Sequence, residues 1–201
     1  MTLARNILDI LFPPRHSELL VRKLSSEELL AYMEPRALAS GAVALLPYRA
    51  EPVRALILEA KFWNNARAKE LLGHVLLTHL RSINLGSATL IPVPLSKKRL
   101  RERGYNQVQV VAEYACASLP NLVLAPELLS RTRHTLPQST LGGMERRENI
   151  AGAFASTGSV DPGHTYIVLD DVITTGATLD AAVSALREAG AQQIIQIGLA
   201  H

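Results

Sequence analysis

The sequence predicts an α/β fold with a parallel sheet flanked by helices. Short apolar runs of strand length stand at Thr89–Val93, Tyr166–Leu169 and Ile194–Ile197, and segments with helical spacing of apolar residues separate them. Strands alternating with helices form βαβ units, whose crossovers require parallel neighbours. A chain of 201 residues is roughly one domain of about 150 residues with an attached subdomain, and an apolar fraction of 48% supplies a core. In such sheets ligands sit beyond the carboxyl ends of the strands.

The amino-terminal part reads as helical. Ser25 and Glu28 have capping-box spacing, Pro52 suits the first turn of a helix carrying Val53, Leu56, Ile57 and Ala60, and Leu72, Val75, Leu76 and Leu80 make a second stripe. Between them Gly41–Pro47 reads as a short strand. Pro92 and Pro94 end the run at Thr89–Val93. The basic stretch after it reads as a loop, with a solvated helix start as the plainer alternative, before a helix opens near Asn106 with Val108, Val111, Ala112, Ala115 and Leu119 on one side. Leu122–Leu124 reads as a strand. Arg131–Asn149 is polar and lacks periodicity, which predicts a long functional loop. The helix after Tyr166–Leu169 turns Leu179, Val183 and Leu186 inward and stops at Gly190.

Composition excludes several classes. Cys116 is the single cysteine, so neither an internal disulfide nor a zinc ribbon of paired cysteines is available, and the chain is expected to be cytoplasmic. Apolar runs fall short of a membrane span and Asp9 interrupts the amino-terminal one, so no membrane insertion is expected. The net charge is only +3, yet Lys97, Lys98, Arg99, Arg101 and Arg103 crowd together with Glu102 alone opposing them. A local cationic site of this kind binds phosphates, pyrophosphate or a nucleic-acid backbone.

The chemistry concentrates at Asp170 and Asp171. Adjacent carboxylates at a strand end repel each other and are costly to desolvate, so they face something polar, such as neighbouring hydroxyls on one ligand. Thr174, Thr175, Gly176, Ala177 and Thr178 follow, a hydroxyl-rich turn entering a helix whose first amides and dipole favour an anion. Hydroxyls at one end and phosphate at the other describe a sugar phosphate. The turn lacks the Gly-Lys-Ser/Thr ending of a P-loop and the three spaced glycines of a dinucleotide fingerprint.

The run Ile167–Thr178 closely resembles the phosphoribosyl-pyrophosphate (PRPP) signature of type I phosphoribosyltransferases. More narrowly, the chain is similar to the ComF competence-protein family. That likeness rests on Leu11-Phe12-Pro13-Pro14, Ala60-Lys61-Phe62, Ile91-Pro92-Val93-Pro94, Arg103-Gly104-Tyr105-Asn106-Gln107, Arg131 to Gln138, and Arg146 through Asn149 to Phe154. It implies a type I phosphoribosyltransferase core over residues 85–201 and a mostly helical amino-terminal hood over residues 1–84. It also implies that Asp170 and Asp171 bind the ribose hydroxyls, Thr174 to Thr178 the 5′-phosphate, and Pro94, Leu95 and Ser96 the pyrophosphate. By the same resemblance Arg103, Arg131, Arg133 and Arg146 are candidates to stabilise the leaving group, the last three on or beside a segment that matches the loop closing over the centre in such enzymes. Mg²⁺ is the implied cofactor, carried mainly by the substrate near the two acids. One departure stands out: relatives in this family commonly carry a cysteine-rich zinc ribbon after the Phe-Pro-Pro element, whereas Arg15, His16 and the residues that adjoin them here include no cysteine.

The remaining residues read plainly. The six histidines show no metal-ligand spacing, with His134 notable only for its place in the expected loop. Cys116 reads as a small buried hydrophobe and Phe62-Trp63 as hood or core packing. Two functions follow from the resemblance. One is PRPP-dependent transfer of phosphoribose to an acceptor; the other is a non-catalytic PRPP or 5′-phosphate binder that contacts single-stranded DNA or a competence protein. Against a sequence-specific reader of nucleic acid stands an aromatic content of 4%.

Overall fold

The structure is a computed structural model that describes residues 13–132 and 152–201. Arg133, His134, Arg146 and the Leu11-Phe12 pair lie outside the described residues. Eight strands are described: β1 (Arg36–Ala37), β2 (Val43–Leu46), β3 (Ala88–Pro92), β4 (Leu122–Leu124), β5 (Leu129–Arg131), β6 (Phe154–Ser156), β7 (Thr165–Val172) and β8 (Gln193–Ala200). Six of them form a sheet ordered β1-β2-β8-β7-β3-β4, parallel throughout except for the short β1 at one edge. The expected parallel sheet is present, and β7 lies inside it with Ile167 opposite both Leu90 and Ile195.

Seven helices are described: α1 (His16–Lys23), α2 (Ser26–Leu30), α3 (Glu51–Phe62), α4 (Ala66–Ser82), α5 (Lys97–Arg103), α6 (Gln107–Cys116) and α7 (Ala177–Glu188). The alternation of β7 sorts them into layers. Ile167 and Leu169 join Leu56 of α3, Leu72 and Leu76 of α4 and Val111 of α6 in one apolar cluster. Tyr166 and Val168 join Leu179, Val183 and Leu186 of α7, with Leu129 of β5 and Phe154 of β6, in the other. Residues on both sides of position 84 share the first cluster, and β2 pairs with β8 in the same sheet.

The local signals act as their chemistry dictates. The Ser25 hydroxyl accepts from the Glu28 amide while the Glu28 carboxylate accepts from the Ser25 amide. Pro52 stands in the first turn of α3, and Asn106 caps α6 by accepting from the Val108 amide at 3.1 Å. The basic stretch is helix, not loop. Ser96 caps α5, left-handed Gly104 stops it, and no residue of α5 is buried, so it leaves no apolar stripe to read. The strands β5 and β6 pair antiparallel and flank the expected loop, each only three residues long and so too short to show a period. Cys116 is half-buried, and burial pushes its thiol up to about 11. Among the described residues no helix is long and apolar enough to cross a membrane.

Candidate functional site

Because β2, β3, β7 and β8 are parallel, their carboxyl ends open on one edge of the sheet. A cleft of about 570 Å³ lies there, with Tyr48 after β2, Pro94 and Leu95 after β3, Asp170 and Asp171 at the end of β7, and His201 after β8. Its lining also includes Lys61, Arg99, Arg103, Arg131, Thr174 and Thr178. Thr175, Gly176 and Ala177 line an adjoining niche together with Asp170, Thr174 and Thr178. Asp170, Asp171 and the turn to Thr178 therefore meet in space as the sequence leads one to expect. Ser96 follows Leu95 but is not among the residues lining the cleft; its hydroxyl accepts from the Arg99 amide at 3.3 Å and starts α5.

The turn is shaped by two glycines. Gly176 sits at φ +81° as the residue before α7, and a Cβ there would come within 3.1 Å of Ser40. Gly198 of β8 lies opposite Asp170, and a Cβ on it would fall 2.3 Å from Ile173 Cγ1. Gly198 thus gives Ile173 the room to fold over β8 and set the start of the turn.

The two acids differ sharply. They are still in strand geometry, so their side chains leave opposite faces of β7. Asp171 Oδ2 takes an ion pair from Lys61 Nζ at 2.8 Å and a hydrogen bond from Gln107 Nε2 at 2.5 Å, while Oδ1 accepts from the Val172 amide at 2.7 Å. Burial raises the Asp171 pKa, but the Lys61 charge and these donors outweigh it and hold the carboxyl below its usual range. Asp170 Oδ1 accepts from the Asp171 amide at 2.9 Å. Burial and then the neighbouring Asp171 charge push the Asp170 carboxyl up.

The cations come from α5 and β5. Arg99 and Arg103 stand four residues apart, hence on one side of α5, and both line the cleft, whereas Lys97, Lys98 and Arg101 are exposed on the outside. Arg131 joins them from β5, its guanidinium 5.4 Å from the Phe154 ring. Burial lowers the pKa of both Arg103 and Arg131.

Sequence reasoning missed Lys61 and Gln107 as site residues, although both lie in stretches that carry the family likeness. Those stretches meet: Tyr105 Oη donates to Ala60 O at 2.7 Å and accepts from the Asn64 amide at 2.9 Å, and Arg103 lies 5.0 Å from the Phe62 ring. Tyr48 and His201 were also unassigned, and only the fold brings them in; Arg99 was expected only as part of the basic stretch, and the fold turns it into the cleft. Phe62 and Trp63 are 57% and 54% exposed, which corrects their reading as packing. They follow Ala60, the last buried residue of α3, and Trp63 carries the Arg15 guanidinium at 4.0 Å.

A family description, the phosphoribosyl transferase domain, matches residues 93–201, which hold β7, the turn and α5, and the chain belongs to that class. Competence protein F of Haemophilus influenzae is 32% identical over 169 residues, covering 79% of this chain and 72% of that protein. The DNA utilization protein YhgH of Escherichia coli is 30% identical over 150 residues, 72% of this chain and 65% of that one. Competence protein ComFC of Bacillus subtilis is 34% identical over 105 residues, 50% of this chain and 39% of that one. Within the class, the chain is a member of the ComF family. It spans about two thirds of the length of YhgH.

Proposed function

We propose that this protein binds PRPP with Mg²⁺ and transfers its phosphoribosyl group to an acceptor, as a cytoplasmic participant in the handling of DNA taken up by the cell. One observation carries the reading: on a single sheet edge, a carboxylate stands beside a threonine turn at a helix start, facing three arginines and a lysine. The turn suits a 5′-phosphate, Asp170 a ribose hydroxyl, and Arg99, Arg103 and Arg131 a pyrophosphate. The acceptor bonds to the anomeric carbon as its bond to pyrophosphate breaks, and the arginines receive the charge that departs with the leaving group.

Mg²⁺ is bound chiefly through substrate phosphates and retains waters, so it needs few protein oxygens. The cleft fits that pattern, since its lining holds two carboxylates, Asp170 and Asp171, beside the arginines that would face the phosphates. Mg²⁺ would neutralise pyrophosphate oxygens, with Asp170 as the carboxylate nearest its waters and the ribose. Differential scanning fluorimetry with PRPP tests the reading. A melting shift that needs Mg²⁺ and disappears in Asp170→Asn/Asp171→Asn supports it, and equal shifts in parent and variant would overturn it. Pyrophosphate release with a panel of nucleobase, amine and ammonia acceptors then tests transfer.

A second reading, a non-catalytic PRPP or 5′-phosphate binder that contacts single-stranded DNA with its outer surface, draws on the exposed Phe62 and Trp63 and on Lys97, Lys98 and Arg101 outside the cleft. The names of the relatives, competence and DNA utilization, suit it too. It requires DNA affinity whose salt slope flattens when Lys97, Lys98 and Arg101 are neutralised, with no pyrophosphate released.

A further inference from the structure

We propose that Lys61 is a positioning residue: it holds Asp171 as the fixed, ion-paired member of the acidic pair and leaves Asp170 as the acid that receives a ligand hydroxyl. The receiving role rests on the PRPP reading; the division between the acids does not.

Lys61 stands in the last turn of α3, where the terminal carbonyls favour a cation. Its base is fixed. Tyr105 bridges Ala60 and Asn64 on either side of it, and Glu59, fully buried, binds Arg15 through both carboxylate oxygens and accepts from Ser17 and Asn65. From that base Nζ reaches Asp171 Oδ2, on which Gln107 also donates, while the Val172 amide takes Oδ1. Both oxygens of Asp171 are thus engaged. Turning one toward a ligand breaks an ion pair whose side chains are 24% and 12% exposed. Among the described residues Asp170 Oδ2 carries no hydrogen bond, and it borders both the cleft and the phosphate niche. The charged and titratable groups around the pair are Lys61 from α3, Arg99 and Arg103 from α5, Arg131 from β5, and Tyr48 and His201 at the ends of β2 and β8. Of these, Lys61 alone forms an ion pair with Asp171 among the described residues.

The full chain is compared with Lys61→Met, Lys61→Arg, Asp171→Asn, Lys61→Met/Asp171→Asn and Asp170→Asn. Melting is measured without ligand, and the PRPP dissociation constant is measured by calorimetry with Mg²⁺. Without ligand, Lys61→Met and Asp171→Asn each lower the melting temperature, the double variant falls no further than the worse single, and Lys61→Arg restores the parent value. Asp170→Asn melts no lower than the parent, yet weakens PRPP at least about tenfold, more than Asp171→Asn does. Additive melting losses would overturn the pairing, as would equal effects of Asp170→Asn and Asp171→Asn on both readouts. If Lys61→Met alone fails to fold, a folded double variant supports the pair and an unfolded one overturns it. A parent that ignores PRPP removes the proposed substrate, while the ligand-free cycle still decides the role of Lys61.

Discussion

The cleft has two halves built in opposite ways. One is contiguous: from Asp170 to Thr178 the chain leaves β7, turns at Ile173 and Gly176 and enters α7, so neighbours in sequence are neighbours at the site. The other is assembled from Tyr48, Lys61, Arg99, Arg103, Arg131 and His201, which only the packing of α3, α5, α6 and the strands brings together. A contiguous half is governed by local backbone geometry, whereas an assembled half depends on anchors far from the ligand. The two should therefore fail separately, and ribose 5-phosphate, which lacks pyrophosphate, distinguishes them from PRPP.

The largest effect is expected from the assembled half. Glu59, on the buried face of α3, neutralises Arg15, whose charge and Ser17 and Asn65 hold its carboxyl low against the opposing pull of burial. Removing one partner of such a pair costs about 3 kcal/mol when the survivor is partly exposed, as Arg15 is. Glu59→Ala should melt about 6 to 12 °C lower in a calorimeter. Its affinity for PRPP should fall while that for ribose 5-phosphate stays within about twofold, the independence expected of separate sites. Equal losses for the two ligands would erase the distinction between the halves.

Gly198→Ala attacks the contiguous half. Its Cβ would collide with Ile173, and overpacking of this kind costs about 2 kcal/mol. Here both ligands should weaken together, because the turn that holds the phosphate is displaced. Gly176→Ala is the milder version, about 1 kcal/mol for a left-handed alanine, with Ser40 close by. Calorimetry with ribose 5-phosphate reads both, and an unaffected affinity in Gly198→Ala would show that Ile173 does not set the turn.

The same contrast explains what could be read from sequence. Asp170 to Thr178 was legible because its function lies in a local order of residues, and α3, α4 and α6 because each buries one stripe. Nothing local marks Lys61 as the partner of a carboxylate more than 100 residues away, or Gln107 as a donor to it. An exposed helix such as α5 leaves no periodic trace, so its cations were noticed while their division between cleft and solvent was not. Phe62 and Trp63 show the converse: apolar character suggests burial, but only the place where α3 ends decides it.

The finest test concerns the acids where the halves meet. Burial and the Asp171 charge raise the Asp170 pKa, so the folded chain keeps that proton to higher pH than the unfolded chain, whose aspartates release it near about 4. Across the window between the two values the folded state binds more protons, and stability contributed by Asp170 declines as pH rises. Asp171 has the opposite sign: held low by Lys61, it adds stability above about pH 4 that disappears only as pH falls through its folded value. Asp170→Asn removes the declining part alone. Its ligand-free melting temperature should exceed that of the parent most at pH 8, and the gap should close toward pH 4. Binding should respond inversely, since a hydroxyl is accepted by the carboxylate: the parent gains PRPP affinity as pH rises through the window, and the variant does not. A melting gap that widens toward acid would mean that the proton belongs to Asp171, and that Lys61 does not divide the pair as its contacts suggest.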